Sequence, residues 1–220
     1  FRTSEFAKAA GEPSTALGYP VAVFQRYLIV EASWLFIAAL VAIFGLVLQY
    51  GVLVATSPDP FLWMTFKFVG FFTILTNTLI ALAFALPLFK PGTLFERPAV
   101  RMAVAAYAIV MVVIYAVILA PLEAPQEGAN LFANTLLHRV TPALYLFDWL
   151  VSRGKGKLRW SDAWKLLIAP LVYGLYTLLH GPLSGFYPYP FFNVPKDGLG
   201  QVMLNLAGIV LFFYAVGLAL

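Results

Sequence analysis

Six long apolar segments limit what this chain can fold into. They are residues 27–49, 62–88, 99–121, 129–151, 163–181 and 199–220, and each approaches or exceeds the about 20 apolar residues with which an α-helix crosses a bilayer. Proline, glycine or charged residues separate them, as is typical of the connections between helices. The alternating pattern of a membrane β-barrel does not occur. The sequence therefore predicts an all-α, polytopic integral membrane protein with six transmembrane helices.

The composition agrees with this prediction and excludes several other classes of protein. Hydrophobic residues make up 62% of the chain and charged residues only 11%, whereas roughly a quarter of a soluble domain is charged. The absence of cysteine excludes a disulfide scaffold and a thiolate metal site. The sequence contains no His-Glu-x-x-His signature, no Gly-x-Ser-x-Gly elbow and no phosphate-binding glycine loop. It implies no metal or other cofactor and no nucleic-acid partner.

The basic residues predict how the spans are oriented. Eleven Lys and Arg residues lie before the first span and around the second and fourth connections, whereas the odd-numbered connections contain only Lys196. By the positive-inside rule, both termini are cytoplasmic and the odd-numbered connections face outward. We interpret residues 1–20 as a cytoplasmic N-terminal tail or vector-derived residues. We interpret residues 21–220 as a single six-helix transmembrane domain.

The second span contains polar side chains, which are costly inside a membrane and are therefore candidates for function. Thr73 and Asn77 are four residues apart, so they share one face of a helix. Thr76 precedes Asn77 directly, and Lys67 lies about two turns from Thr73 toward the outer end. This span thus presents hydroxyl and amide groups close together.

The fourth span is more polar still. Its polar residues recur at spacings of three and four: Asn130, Asn134, His138, Thr141, Tyr145 and Asp148. Pro142 predicts a kink and a free carbonyl beside the His138 imidazole. At about 1.5 Å per residue, Thr73 lies roughly 16 Å and His138 roughly 13 Å below the outer ends of their spans. The two side chains can therefore meet, and a hydroxyl beside an imidazole can act as a nucleophile with its general base.

Structural roles are the alternative for each of these residues. A threonine in a membrane helix commonly bonds its own preceding carbonyl, which is one interpretation of Thr76. His138 can be a structural residue, a proton relay or, with His180, a haem ligand. Arg139 and Lys67 can extend to the interface or hold an acidic head group.

The outer end of the fifth span adds a further set of candidates. The connection 181–194 is rich in proline and aromatic residues, which is typical either of an interfacial aromatic belt or of a stiff lid over an outward-facing cavity. Tyr176 on the fifth span and Asn205 on the sixth could complete a polar cavity wall. His180 could support the same site or simply lie at the interface.

Three stretches carry a resemblance to a known family. They are Phe72-Thr73-Ile74-Leu75-Thr76-Asn77, the block from Asn134 through His138 to Pro142, and Gly181…Gly185-Phe-Tyr-Pro-Tyr-Pro-Phe-Phe-Asn193-Val. Together they resemble the androgen-induced transmembrane family, which includes the androgen-dependent TFPI-regulating protein, and above all its bacterial six-helix branch. Animal members are described as threonine hydrolases that cleave fatty acid esters of hydroxy fatty acids. The resemblance implies that Thr73 and His138 are the essential pair, with Thr76 as the alternative nucleophile, and that the protein lies in a bacterial inner membrane.

The resulting hypothesis is an intramembrane hydrolase that cleaves an acyl ester of a lipid-like substrate. Thr73 would attack the carbonyl, His138 would act as base, and Asn134 or Asn77 would hold the imidazole or the oxyanion. Its partners would be a lipid or fatty-acyl substrate and the bilayer, and no oligomeric state is predicted. The alternatives are a small-molecule or proton-coupled transporter, disfavoured because no inverted repeat or matched broken helices are evident, and a non-catalytic lipid-binding protein.

Overall fold

The computed structural model describes residues 21–90, 92–151 and 158–220, so the predicted tail at 1–20 lies outside the described residues. Within these ranges the chain forms α-helices and shorter helical turns and no β-strand, which confirms the all-α class. Eight of the described helices have at least eight residues. They are α1 (Val21–Thr56), α2 (Phe61–Val69), α3 (Phe72–Phe89), α4 (Pro98–Ile114), α5 (Gly128–Thr135), α6 (Thr141–Val151), α7 (Ile168–Ser184) and α8 (Leu199–Ala219).

Contacts divide the chain into residues 1–37 and residues 38–220. Of the first unit, the described residues belong to the N-terminal part of α1. The second unit contains the rest of α1 and all the other helices, together with every contact reported below. The domain boundary expected at residue 21 stays a prediction.

Five segments among the described residues are long and apolar enough to cross a membrane. They are Leu28–Thr56, Phe72–Phe89, Pro98–Leu122, Asp162–Ser184 and Leu199–Ala219. Large apolar side chains on their outer faces, such as those of Leu204 and Leu211, are exposed in the protein alone, which suits contact with lipid. This is the architecture of a multi-pass integral membrane protein.

The second apolar segment differs from the continuous span expected for residues 62–88. It is broken at Gly70 and Phe71: Gly70 ends α2, and Phe71 has the extended backbone of a helix N-cap residue, so that α3 begins at Phe72. A Cβ on Gly70 would lie 3.0 Å from the Phe186 ring and 3.1 Å from the Lys67 carbonyl oxygen. The hydroxyl of Tyr173 donates a hydrogen bond of 2.9 Å to the freed Gly70 carbonyl. The break is therefore closely packed, and its carbonyl is bonded.

Two π-helical turns interrupt the third and fourth apolar segments. One, Tyr115–Leu119, follows α4, and the other, Leu136–Val140, joins α5 to α6. In a π turn the carbonyl of Leu137 would be bonded by the N–H of residue 142, which is a proline and has none. Asn77 donates a side-chain hydrogen bond to the Leu137 carbonyl in its place. The irregularity expected beside His138 is therefore a π-helical turn.

A charged pair links α4 to α6. The Arg101 guanidinium donates a 2.6 Å hydrogen bond to the Asp148 carboxylate, and both side chains are largely buried. Because each charge is held away from water, removing one partner leaves the other poorly solvated.

We therefore expect Asp148→Ala to reduce the free energy of unfolding by about 2 kcal/mol. Thermal unfolding of the purified protein in detergent would measure this as a lower melting temperature. Asp197→Ala is the matched control, because Asp197 is exposed in the short turn before α8. Equal melting temperatures for the two variants would contradict the stabilising role of the pair.

Candidate functional site

The break in the second apolar segment places Thr73 in the first turn of α3. The first N–H groups of a helix have no partner within the helix and carry its positive end. The Thr73 side chain is buried, and its backbone N–H donates a 3.2 Å hydrogen bond to the hydroxyl of Tyr189. Thr73 thus lies near the positive end of the α3 dipole.

The structure brings Thr73 and His138 together, as expected from their predicted depths. The distance between Thr73 Oγ1 and His138 Nε2 is 3.3 Å. His138 lies in the π-helical turn, which widens the helix between α5 and α6. Their proximity is an observation, whereas their catalytic roles stay predictions.

A chain of hydrogen bonds orients the imidazole and begins at Glu123. The Gln126 amide nitrogen donates to the Glu123 carboxylate at 2.8 Å, so the Gln126 amide oxygen faces the other way. That oxygen accepts a 2.7 Å hydrogen bond from Asn134 Nδ2, which leaves Asn134 Oδ1 facing His138 Nδ1 at 2.9 Å. Since a carboxylate can only accept, the direction of every donor in the chain is set at Glu123.

This polarity fixes the tautomer of His138. Nδ1 must carry the proton in order to donate to Asn134, so the neutral ring keeps a lone pair on Nε2, which faces the Thr73 hydroxyl. The Tyr115 ring stacks on the imidazole with 3.7 Å between ring centroids, and its hydroxyl donates to Glu123 at 3.0 Å. The ring is therefore held both in its plane and across its face. Of these groups the sequence identified Asn134 but not Tyr115, Glu123 or Gln126.

Tyr189 is a further residue of the site that the sequence did not identify. Its hydroxyl lies 3.4 Å from Thr73 Oγ1 as well as 3.2 Å from Thr73 N. Burial raises the pKa of Tyr189 above its usual value, although hydrogen bonds with Thr73 oppose the rise, so the phenol stays protonated at neutral pH. The signal that could have found it is the Tyr-Pro-Tyr-Pro string at 187–190, which indicates a belt or lid and carries part of the family resemblance but does not by itself identify a site residue.

Two cavities adjoin Thr73. The larger, of about 440 Å³, is lined by His138 and by polar groups of the third connection and α5, among them Glu123 and Asn134. The smaller, of about 50 Å³, lies against α4 and α8 and is almost entirely apolar. Thr73, Leu119 and Tyr189 line both cavities, so Thr73 lies at their boundary.

Asn77 and Thr76 lie one turn deeper than Thr73, and both are fully buried. Asn77 Nδ2 donates to the Thr73 carbonyl at 2.9 Å and to the Leu137 carbonyl at 3.0 Å, so it connects α3 to the π turn beneath the site. Thr76 lines neither cavity, and its hydroxyl has no hydrogen-bond partner among the described residues. Of the two threonines, Thr73 is the one in hydrogen-bond contact with His138.

The remaining predicted site residues lie away from the Thr73–His138 pair. Lys67 forms a 2.7 Å ion pair with Asp59, which lowers the pKa of that carboxyl. Arg139 is exposed and lines a separate pocket. His180 bonds Ser184 at 3.1 Å and packs against the partly exposed Tyr176 ring, while Asn205 donates to the Phe191 carbonyl at 3.2 Å. None of these five residues lines either of the two cavities at Thr73.

The comparisons with known proteins add no relative. No family model matches the chain, and neither a curated protein nor a solved structure is significantly similar to it. The resemblance to the androgen-induced family therefore stays a prediction. Among the described residues no group of three or more His, Cys, Asp or Glu side chains could hold a metal ion.

The hydrogen-bond chain predicts the protonation of His138. Nitrogen NMR of the imidazole in detergent-solubilised protein is expected to show a neutral ring with its proton on Nδ1. In Asn134→Ala this preference should weaken, because the nearer acceptor at Nδ1, Asn134 Oδ1 at 2.9 Å, is removed and the backbone carbonyl of residue 134 remains at 3.3 Å. Asn130→Ala is the control, since Asn130 lines the same cavity one turn away. A proton on Nε2 in the unaltered protein would contradict the assignment.

Proposed function

We propose that the protein is an intramembrane hydrolase that cleaves an acyl ester of a lipid-like substrate, with Thr73 as nucleophile and His138 as base. The observation that carries this proposal is the 3.3 Å contact between Thr73 Oγ1 and Nε2 of an imidazole whose Nδ1 faces Asn134. A nucleophile, a base and a group that orients the base are the three elements of a hydrolytic triad.

The first half of the reaction transfers the acyl group to Thr73. Oγ1 attacks the ester carbonyl carbon while His138 Nε2 accepts the hydroxyl proton. The tetrahedral intermediate then collapses, the bond to the alcohol oxygen breaks, and His138 returns the proton to that oxygen. Asn134 accepts from Nδ1–H throughout and so stabilises the imidazolium that forms in between. The products of this half are an acyl ester of Thr73 and a free alcohol.

The oxyanion is stabilised by the start of α3 and by Tyr189. The oxyanion is the former carbonyl oxygen, attached to the carbon that Oγ1 attacks, so a phenol 3.4 Å from Oγ1 reaches it by a small rotation. When Tyr189 turns its O–H toward the oxyanion, the first backbone N–H groups of α3 add the positive end of the helix dipole. One such preorganised donor contributes about 3 kcal/mol to transition-state stabilisation.

Water completes the reaction from the larger cavity. Its lining includes Gln126, Asn130 and Asn134, which offer hydrogen bonds to water molecules beside His138. His138 takes a proton from one of them, the resulting hydroxide attacks the acyl carbon, and the proton returns to Thr73 Oγ1 as the acid leaves. In this reaction the polar residues of the fourth apolar segment share one role, which is to hold water beside Thr73 and His138.

The proposal places this site in the outer half of a six-span bundle. The predicted fourth span, which completes the six, would be α5, the π turn and α6 taken together, since Gly128–Thr135, Leu136–Val140 and Thr141–Val151 run without interruption. Both termini would be cytoplasmic, in the inner membrane of a bacterium. The third and fifth connections, which contribute Glu123 and Tyr189, would then face outward.

A transporter is the second candidate, and one observation favours it. The helix broken at Gly70 and Phe71 resembles the discontinuous helices whose ends bind substrate in secondary transporters. In that case the Thr73–His138 pair would bind a small molecule or relay protons without forming a covalent intermediate. A non-catalytic lipid-binding protein would likewise form none, so a covalent adduct distinguishes the hydrolase from both.

Purified protein treated with a fluorophosphonate probe is expected to be labelled at Thr73, as located by mass spectrometry. Thr73→Ala and His138→Ala should lose both labelling and ester hydrolysis, because one removes the nucleophile and the other its base. Thr73→Ser should retain both, because it keeps the hydroxyl. Thr76→Ala is the matched control and should retain most of the activity. Absence of labelling and of hydrolysis in folded protein would favour the transporter or the lipid-binding protein.

Tyr189→Phe is expected to lower kcat about 100-fold with little change in KM, because it removes a hydrogen bond that strengthens only as the oxyanion forms. Steady-state kinetics with a soluble short-chain ester would measure both constants. Tyr187→Phe is the control in the same connection, because its hydroxyl is buried without a hydrogen-bond partner among the described residues. If both variants keep the activity of the unaltered protein, Tyr189 has no part in the transition state.

A further inference from the structure

The two cavities that meet at Thr73 differ sharply in chemistry. An ester has its acyl chain on one side of the carbonyl carbon and its alcohol on the other. A carbonyl held at Thr73 Oγ1, on the boundary between the cavities, therefore directs these two parts into different surroundings. The lining of each cavity therefore indicates the polarity and charge of the part of the ester that it accommodates.

The smaller cavity fits a hydrocarbon chain. Apart from Thr73, its polar lining consists of Tyr173 and Tyr189, whose hydroxyls already bond the Gly70 carbonyl and Thr73. Its volume of about 50 Å³ takes the first carbons of a chain and no more. Lining residues on α4 and α8, including Ile114 and Val210, are half-exposed, so the cavity opens sideways between these helices. A longer chain would continue from there into lipid.

The larger cavity fits an uncharged group that is rich in hydroxyls. Among its described lining residues Glu123 is the one with a charged side chain, and no Lys or Arg side chain is present. Gln126, Asn130 and Asn134 add amide groups, which both donate to and accept from hydroxyls. A carboxylate placed here would be repelled by Glu123 and would lack a cationic partner. Arg139 does not line this cavity but an adjoining pocket that shares Glu123 and Asn134 with it, and the side chains of Arg139 and Glu123 are both exposed.

We propose that the acyl chain enters the small apolar cavity, that a neutral, hydroxyl-rich alcohol leaves through the large polar one, and that the preferred substrates are therefore acylglycerol-type esters. This inference rests on the hydrolase function proposed above. It departs from the substrate that the family resemblance implies, because a fatty acid ester of a hydroxy fatty acid would carry a free carboxylate into the cavity that contains Glu123.

The charge of the leaving alcohol is tested with one pair of compounds. The oleoyl ester of a hydroxystearic acid and the methyl ester of that same compound differ in a single charge, and release of oleate measures the cleavage of both. We expect kcat/KM to be about tenfold higher for the methyl ester. Monooleoylglycerol should be cleaved at least as well as the methyl ester.

Glu123→Gln should bring the two values of kcat/KM to within about threefold of each other, because it removes the repulsion. Taking the ratio within one variant cancels any effect on the orientation of His138. Glu127→Gln is the matched control: Glu127 is exposed four residues along the chain and lines neither cavity, so the ratio should not change. Faster cleavage of the free acid by the unaltered protein, or an unchanged ratio in Glu123→Gln, would overturn the proposal.

The position of the acyl chain is tested on α8. Val210→Phe should reduce the ratio of oleoylglycerol to butyrylglycerol hydrolysis about tenfold, because the larger side chain fills the route that only a long chain needs. Leu211→Phe is the control, since residue 211 points away from the bundle and is 67% exposed. Val210→Met is the milder variant should the phenylalanine prevent folding. An unchanged chain-length ratio in a folded variant would place the acyl chain elsewhere.

These outcomes separate the two proposals. Hydrolysis that requires Thr73 but shows unchanged charge or chain-length ratios would overturn the substrate assignment and leave the hydrolase in place. Folded protein that cleaves none of the esters and takes no fluorophosphonate label would overturn both.

Discussion

The need to bond every backbone polar group within an apolar bundle governs this structure. At each irregular point near the site a side chain provides the missing partner. Tyr173 bonds the carbonyl of Gly70, Asn77 bonds that of Leu137, and Tyr189 accepts from the N–H of Thr73. These three hydrogen bonds join elements that are distant in sequence and meet around one hydroxyl. The arrangement that satisfies the broken backbone therefore also builds the pocket around Thr73.

The hydrogen-bond network around His138 determines the direction in which each group donates as well as the position of each side chain. The Glu123 carboxylate can only accept, and two side-chain amides transmit that restriction to His138 through hydrogen bonds of 2.8, 2.7 and 2.9 Å. The same carboxylate gives the larger cavity its charge. A single residue of the third connection thus lies at the start of the chain that orients His138 and, in the proposed reaction, would also select the polarity of the leaving alcohol.

Much of this arrangement follows from sequence periodicity and depth, and some of it cannot. A spacing of four residues aligned Thr73 with Asn77 and Asn134 with His138, and helix rise placed the two pairs at one level. The break at Gly70 and the π turns escaped prediction because an apolar stretch remains apolar when its helix is interrupted or widened by one residue. Tyr189 escaped because it lies 116 residues from Thr73, in a connection whose path periodicity does not describe.

In the proposed hydrolase, the hydrogen bond between Tyr189 and Thr73 would make the fifth connection part of the reactive site and not only part of its enclosure. If residues 185–193 swing away from α3, the cavities widen at the moment when the first turn of the helix loses the phenol that accepts from it. Outward movement of this connection then admits substrate, and its return to α3 restores the contact between Tyr189 and Thr73. In the proposed hydrolase the open site is inactive. Thr73 then does not react with surrounding lipids until the connection has closed on a bound ester.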